Sequence, residues 1–209
     1  MTVPGLIAPG ALSPLADRVV APGGLRVIGL DLSITSTGVC RPDGSSFAIK
    51  TRSKDGPRRL VHVRSVIEDE LGRARPDLAV IEDLPTKMHA TALKSIGCLH
   101  GVVQCALLDA GVPWAYVSPA TLKKYAADNG NADKRRMADA AYLAAGVEFP
   151  GDLDAKGKGG DQCDAWWLRA AGHDALGQPL FGMPQAQRDR LLKVDWPEVL
   201  QGYAVGVAR

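Results

Sequence analysis

Four carboxylates occupy positions from which a folded chain could bring them together. Asp31 and Glu82 each end a short apolar run that is typical of a buried strand. Asp161 and Asp164 are three residues apart at the start of an Ala-, Trp- and Leu-rich helix, so they share one face. Acids that converge from distant parts of a chain repel one another unless a positive charge lies between them. Oxygen ligands without a nearby His or Cys cluster favour Mg²⁺ or Mn²⁺ over zinc, which indicates phosphoryl chemistry.

The composition fits a single domain with basic regions. The 209 residues, 46% of them apolar, can bury one core and are too few for two comfortable domains. The net charge of +2 favours no partner, but the range 50–75 holds eight basic and four acidic residues, and a second basic stretch contains Lys123, Lys124, Lys134, Arg135 and Arg136. Basic surface beside an acidic site is typical of nucleic-acid binding, whereas either stretch alone could be a solvated helix face.

The cysteines and the apolar runs predict a reduced, cytoplasmic protein. Four cysteines have apolar neighbours and form no CxxC pair, so most are expected in the core: Cys40, Cys98, Cys105 and Cys163. No apolar run is seen to reach membrane length, so no membrane partner is expected. Residues 1–24 are rich in Pro, Gly and Ala without a basic region, which predicts a flexible N-terminal extension and not a signal peptide.

The apolar pattern predicts one α/β domain over residues 25–172. The expected strands lie at 26–31, 37–41 and 46–51, in a run that ends at 82, and at 114–117. A helix is expected over 60–71 and another over 90–110, with Leu93, Ile96, Val103 and Leu107 on one face. Three further helices are expected: one opened by Ser118 and Pro119, one capped by Asn131 that runs to about 146, and a last one from 161. The turn 42–44 makes the second and third strands a hairpin. This order predicts a mixed sheet with helices on both faces.

Two expectations concern the last helix and the residues after it. Trp166 and Trp167 are adjacent and cannot both lie on one helix face, so one is expected in the core and the other half-exposed. Residues 173–209 are expected to form a C-terminal tail with a short helix over 185–194. This tail could pack on the core, contact a partner or fray.

Several motifs, taken in order, resemble those of the RuvC-type Holliday-junction resolvases of the ribonuclease H-like superfamily. The segment Gly29-Leu30-Asp31-Leu32-Ser33, with Thr37-Gly38 after it, is similar to the family's G-x-D-P-G strand, and Glu82 matches its second acid. Asp161-Gln162-Cys163-Asp164-Ala165 is similar to its last acidic helix. Leu122-Lys123-Lys124 and Gly130-Asn131-Ala132-Asp133-Lys134 look like its two DNA-contacting lysine segments. In the loop after Glu82, Asp83-Leu84-Pro85 lacks the aromatic that many relatives carry, which puts the family's sequence preference in doubt here.

The resemblance implies a fold and a set of residue roles. The fold would be a ribonuclease H-like mixed five-stranded sheet with helices on both faces. Two Mg²⁺ (or Mn²⁺) ions per active site would be held by Asp31, Glu82, Asp161 and Asp164, with Asp31 between them. Lys123 would act on the scissile phosphate, and DNA would be contacted by Lys123, Lys124, Asn131, Lys134 and Arg135. A symmetric homodimer through the helix over 90–110 would place two sites on opposed strands.

Each of these residues also has an ordinary structural interpretation. Asp31 could be a turn acid, Glu82 a surface acid paired with Lys87, and Asp161 a helix cap. The lysines could be solvated, although Lys134 lies in a first helical turn, where the macrodipole disfavours a cation unless a phosphate binds there.

Other functions remain open at this point. A branched-DNA nuclease that cuts forks and flaps would use the same site. A junction-binding protein without catalysis would not need the acids. A sugar kinase or actin-like ATPase shares the fold but needs phosphate and adenosine motifs that the sequence does not show.

Overall fold

The computed structural model describes residues 24–85 and 89–198, so residues 1–23 of the expected extension 1–24 lie outside the described residues. The strands and helices of this part of the chain are β1 Val27–Asp31, β2 Ser36–Cys40, β3 Ser46–Lys50, α1 Arg58–Ala74, β4 Leu78–Glu82, α2 Ala90–Asp109, β5 Trp114–Val117, α3 Pro119–Ala127, α4 Lys134–Ala145, α5 Asp161–Ala175 and α6 Gln185–Arg188. Short 3-10 helices cover Ser53–Asp55 and Asp189–Lys193. The bounds agree with the expected ones to within a few residues, and α5 continues past residue 172, where the tail was expected to begin.

The strands form one mixed sheet in the order β3-β2-β1-β4-β5. β1, β2 and β3 pair antiparallel, and the turn between β2 and β3 contains Gly44 at φ 92°, a conformation that favours glycine. β1, β4 and β5 pair parallel, with Leu30 opposite Ile81. Because parallel strands end at the same edge, Asp31 and Glu82 are neighbours there. The predicted mixed five-stranded sheet is confirmed.

Helices cover both faces of the sheet, which explains why its central strands are apolar throughout. Successive side chains of β1 point to opposite faces. Val27 belongs to a core with α3, α4 and α5, and Ile28 belongs to a second core with α1 and α2. Asp31 therefore ends a strand that is buried from both sides.

Two glycines let α5 lie directly against β1 and β2. A Cβ atom added to Gly29 would be 1.9 Å from the carbonyl oxygen of Ala165, and one added to Gly38 would be 1.9 Å from that of Asp161. Any side chain at either position would push the helix away from the sheet. The absence of side chains here brings the acidic end of α5 close to Asp31.

The expectation for the tryptophan pair is wrong, because the tail packs on the core. Trp166 and Trp167 expose only 4% and 0% of their surface. Phe181 stacks on Trp166 with ring centroids 5.2 Å apart, and the Trp167 indole donates to the carbonyl oxygen of Met137 at 3.1 Å. The described part of the tail thus covers the helix face that the sequence had assigned to solvent, and residues 199–209 lie outside the described residues.

Helix α2 corrects three expectations. Leu93 is 45% exposed and does not share the buried face of Leu99 and Val103. Cys98 and Cys105 are exposed on α2, so only two of the four cysteines, Cys40 and Cys163, lie in the core.

The third correction concerns apolar length. Among the described residues, α2 is the one helix that is long and apolar enough to cross a membrane by length and composition, so the expectation that no apolar run has this length is wrong. Its buried side chains pack in the core with α1.

Candidate active site

The four predicted acids meet at one edge of the sheet. Asp31 and Glu82 lie side by side at the ends of the paired parallel strands β1 and β4. Asp161 and Asp164, in the first turn of α5, lie close enough to raise the pKa of Asp31. Asp31 and Asp164 expose only 5% and 2% of their surface. These four residues are called the acid cluster below.

Burial and mutual repulsion oppose full ionisation of the acid cluster. Burial, followed by the charges of Glu82 and Asp164, raises the pKa of Asp31 well above its ordinary value. Burial, followed by the charge of Asp164, raises the pKa of Glu82 to about 7. Burial also raises the pKa of Asp164, although Lys134 opposes this shift. Carboxylates that are so costly to ionise together form a site that favours a bound cation.

Two of the predicted lysines border the acid cluster. Lys134 is the first residue of α4, and its ammonium donates a hydrogen bond to Oδ2 of Asp164. Burial lowers the pKa of Lys134, but the attraction of Asp164 and Asp31 outweighs burial and the net pKa is raised. Lys123, half-buried on α3, lies close enough to lower the pKa of Glu82. Both lysines therefore belong to the electrostatic surroundings of the acids.

Asp161 is held by the β2–β3 hairpin. Its Oδ2 accepts a hydrogen bond from Oγ of Ser36 at 2.5 Å, and Nζ of Lys50 lies 3.8 Å from the same oxygen. Gly160 is the N-cap of α5 and Asp161 is the first helical residue, so Asp161 does not cap the helix. Sequence reasoning missed Ser36 and Lys50, because their contacts with Asp161 cross more than 100 residues of chain.

The remaining predicted DNA contacts occupy exposed positions. Lys124, Asn131 and Arg135 are exposed, and Nη2 of Arg135 donates a long hydrogen bond of 3.5 Å to the carbonyl oxygen of Ala155, in the loop before α5. Asn131 does not cap α4. Asp133 does, with Oδ1 accepting from the backbone N–H three residues later at 2.8 Å. Asp and Asn are equally good caps, so the helix start could not be decided from residue type alone.

Asp152 is a buried residue that orients α5, and sequence reasoning missed it. One of its carboxylate oxygens accepts from the backbone N–H of Gln162 at 3.2 Å, and the other accepts from that of Cys163 at 3.0 Å. These donors belong to the first turn, which has no partner within the helix. Asp152 acts from a glycine-containing loop well before Gly160, so no local capping pattern marks it.

A cleft of about 620 Å³ opens on the acid cluster. One wall is the loop after β1, residues 32–34, and the facing wall consists of residues 83–85 and the first turns of α2. His100 lies in this second wall, stacked on Tyr116 with ring centroids 5.8 Å apart. The alternative partner of Glu82, Lys87, lies outside the described residues.

The donor chemistry of the acid cluster fits a hard divalent cation. Among residues 24–85 and 89–198, no three His, Cys, Asp or Glu side chains are arranged to hold an ion as they stand, and the ammonium of Lys134 supplies the positive charge beside Asp164. The other oxygen of Asp164, Oδ1, is buried and has no hydrogen-bond partner in the described part of the chain. A buried carboxylate oxygen without a partner, next to other acids, is the kind of ligand that Mg²⁺ uses.

Known proteins resemble this chain in sequence over much of the domain. The family described as crossover junction endodeoxyribonuclease RuvC matches residues 21–143, a range that includes Asp31, Glu82, Lys123 and Lys134. The crossover junction endodeoxyribonuclease RuvC of Chloroflexus aurantiacus is 32% identical over 91 residues, which are 44% of this chain and 56% of that protein. The protein of the same name from Ruegeria pomeroyi is 27% identical over 173 residues, 83% of this chain and 92% of that protein. The chain thus spans only about half the length of its Chloroflexus relatives.

The comparison with solved structures gives the same fold. Thermus thermophilus RuvC in complex with Holliday junction substrate superposes with a TM-score of 0.61 at 20% identity, over 74% of this chain and 98% of that one. A second structure of Thermus thermophilus RuvC superposes with a TM-score of 0.58. The expected ribonuclease H-like fold is confirmed by this likeness. Since the family match covers more than half of the sequence, the chain belongs to the RuvC family of crossover junction endodeoxyribonucleases.

Proposed function

We propose that this chain is a metal-dependent endodeoxyribonuclease that cuts Holliday junctions and other branched DNA. The observation that carries the proposal is the acid cluster, in which buried carboxylates repel one another and Oδ1 of Asp164 has no hydrogen-bond partner among the described residues. A purely structural acid would be paired and hydrogen-bonded. Membership of the RuvC family supports the same assignment.

In this proposal the acid cluster holds two Mg²⁺ or Mn²⁺ ions. Asp31 neighbours Glu82 and is influenced by both acids of α5, so it would be shared, while Glu82 and Asp164 would each complete one set of ligands, assisted by Asp161. When bound, such ions lower the pKa of a water molecule and neutralise charge on the leaving oxygen of a phosphodiester. The protein contributes the positions of the carboxylates, because Asp31 and Asp164 are buried where β1 and α5 meet.

The lysines would handle the phosphate. Lys123 would donate hydrogen bonds to the scissile phosphate and stabilise its developing charge. The ammonium of Lys134 partly neutralises Asp164 in this structure and would become available to a DNA phosphate once a divalent cation takes over that role. Lys124, Asn131 and Arg135 would contact the backbone further from the cleaved bond.

The catalytic proposal is tested with a labelled four-way junction beside a replication fork, a flap and linear duplex, in Mg²⁺ or Mn²⁺. Paired, symmetric nicks in the junction that leave ligatable duplexes are expected, and the Asp164→Asn chain should make none. Preferred, unpaired cutting of forks and flaps would instead favour the branched-DNA nuclease, which the non-aromatic loop 83–85 also permits. Retained cleavage by Asp164→Asn, or no metal-dependent cleavage at all, would overturn the proposal.

Paired nicks require two active sites, and we propose that α2 forms the interface of a homodimer. Its outward face exposes Leu93 and Leu108 at 45% and 52%, and a Cβ at Gly97 or Gly101 would meet nothing within 4 Å. Small residues beside exposed apolar ones would allow two such helices to approach closely.

Two exposed cysteines on α2 allow the proposed dimer to be tested by cross-linking. Cys98 and Cys105 are exposed on α2 and seven residues apart, so they lie on one side of it. A short bifunctional maleimide should link two native chains, and Cys98→Ser with Cys105→Ser should abolish the link. Light scattering should give twice the 22.1 kDa chain mass, and a monomer at the concentration used for cleavage would contradict the dimer.

A further inference from the structure

A second basic surface adjoins the active-site cleft, and the roles proposed above do not use it. It is a groove of about 510 Å³ between the end of β3 and the start of α1, lined by Lys50, Thr51, Arg52, Asp55, Arg58, Arg59 and His62. We call it the β3–α1 groove. Four permanent cations line it against one carboxylate, so the groove is strongly positive although the whole chain has a net charge of only +2.

Most of this positive charge is free to act on a ligand. The side chain of Arg58 is exposed and forms no hydrogen bond or ion pair with any residue that the structure describes. Arg52 pairs with Asp55 at 3.4 Å, but its side chain is 72% exposed, and a pair so open to water contributes little. Arg59 donates through Nε to the carbonyl oxygen of Gly56 at 3.0 Å, which leaves its charge without a counter-ion there.

The first turn of α1 contains residues that destabilise a helix N-terminus. Helix N-termini carry a partial positive charge and favour acids in the first turn. α1 has no acid in its first turn and no side-chain cap, and it opens with Arg58 and Arg59. Both choices raise the free energy of the isolated helix, and both become favourable when an anion lies at this end.

The groove and the active-site cleft meet at the loop after β1. Thr51 lines the groove and donates a hydrogen bond through its hydroxyl to the carbonyl oxygen of Ile34, which lines the cleft. Lys50 lines the groove, and its Nζ lies 3.8 Å from Oδ2 of Asp161. A row of phosphates that passes the acid cluster can therefore continue into the groove.

We propose that the β3–α1 groove binds the phosphodiester backbone of the duplex arm that leads away from the cleaved phosphate. This inference rests on the proposed nuclease function and adds a second DNA contact to it, on the opposite side of the acid cluster from α3 and α4. Because the cations of the groove would contact phosphates and not base edges, the contact is independent of DNA sequence. Its effect is to fix the direction in which one arm leaves the site.

The test compares two double variants that each remove two positive charges. In the Asp164→Asn background, Arg58→Gln with Arg59→Gln empties the groove of two cations. The control, Arg73→Gln with Lys193→Gln, removes two exposed cations elsewhere, and Arg73 lies about 22 Å from Arg58 along α1. Binding of a labelled four-way junction is measured by fluorescence anisotropy over a range of salt concentrations.

The groove variant should bind more weakly, and its plot of log affinity against log salt should be shallower by about 2, because each lost phosphate contact reduces the slope by about 0.9. The control should keep the native slope. An equal loss of junction affinity in both double variants would overturn the inference, because it would show that only the net charge of the protein matters. An unchanged slope in the groove variant, with a native chain that nicks junctions, would overturn the inference and leave the proposed function intact. No junction binding by any form would overturn both.

A third variant separates a lost contact from a damaged fold. Arg58→Glu places an acid at the start of α1, so the free protein should melt at a higher temperature while junction affinity falls. A higher melting temperature together with a lower junction affinity is expected if Arg58 contacts DNA and does not stabilise the fold. A lower melting temperature together with unchanged affinity would contradict the inference.

Discussion

Helix α5 carries one buried carboxylate near each end, and their surroundings differ. At the far end, Asp174 accepts from Nε of Arg188 at 2.6 Å and from the Tyr125 hydroxyl at 3.1 Å, so both of its oxygens are used. Near the start, Asp164 has one oxygen paired with Lys134 and the other without a partner among the described residues, beside three more acids. Residues of the folded chain provide partners for both oxygens of Asp174. Oδ1 of Asp164, in contrast, would gain a partner only when a ligand such as a metal ion binds. This difference indicates that Asp174 stabilises the fold and that Asp164 belongs to a binding site.

The largest expected effect comes from Asp164→Asn. Cleavage should fall by about a thousandfold or more, which is about 4 kcal/mol of activation free energy, because a metal ligand is lost. The free energy of unfolding in EDTA should stay the same or rise, since a repelling charge leaves a buried cluster and Lys134 keeps the attraction of Asp31 and Glu82. Cleavage rates and urea unfolding of one preparation check both. Strong destabilisation would contradict the contrast between the two ends.

The opposite pattern is expected at Asp174. Arg188→Ala leaves this carboxylate buried with only the Tyr125 hydroxyl, so the free energy of unfolding should fall by about 3 kcal/mol. The rate of cleavage below the melting range should change little. Arg64→Ala is the matched control, because its ion pairs are exposed and should be worth at most about 1 kcal/mol. If both variants lower the free energy of unfolding by the same amount, the Arg188–Asp174 ion pair does not stabilise the fold more than an exposed pair does.

The raised pKa of Glu82 gives a pH test. A carboxyl whose pKa rises from 4.5 unfolded to about 7 folded binds more protons in the folded chain. It therefore favours folding most below about pH 4.5, loses that contribution as pH rises to about 7, and contributes no further change above. In EDTA, the stability of Glu82→Gln relative to the native chain should increase over this window. Urea unfolding at several pH values measures it, and a constant difference would contradict the crowding of the acids.

The smallest expected effect concerns Asp152, which caps the acidic end of α5. Asp152→Ala removes the acceptor of two backbone N–H groups and should cost about 1 kcal/mol of stability, with a several-fold loss of cleavage as Asp164 becomes less fixed. Asp152→Asn keeps one acceptor oxygen and should recover part of both. Thermal melts and nicking rates measure this. A variant that loses stability but keeps full cleavage would show that α5 is positioned by its packing alone.

The sequence predicted those features that local periodicity and strand ends determine. The order of strands and helices, the β2–β3 hairpin and the convergence of Asp31 with Glu82 follow from apolar runs and from the parallel arrangement of β1 and β4. The Ser118 cap was also predicted, and its Oγ accepts from the backbone N–H of Thr121 at 3.2 Å. Each of these depends on residues that are close in sequence or that end adjacent strands.

Contacts between distant segments could not be predicted in this way. The burial of Trp166 depends on Phe181, which reaches it only after the chain has turned beyond α5. Likewise, Asp152 reaches α5 from the preceding loop, and Lys50 reaches Asp161 from another strand. Such contacts depend on the packed fold and have no spacing that marks them in the sequence.

The close approach of α5 to the sheet at Gly29 and Gly38 has a consequence for how this family can diverge. The separation between the acidic helix and β1 is determined by backbone contact and not by the volumes of core side chains. Apolar residues elsewhere in the core can then be exchanged, provided that total volume is kept, without moving one half of the active site relative to the other. Thermus thermophilus RuvC can therefore share the fold at only 20% identity, and substitution of either glycine is the change least open to compensation.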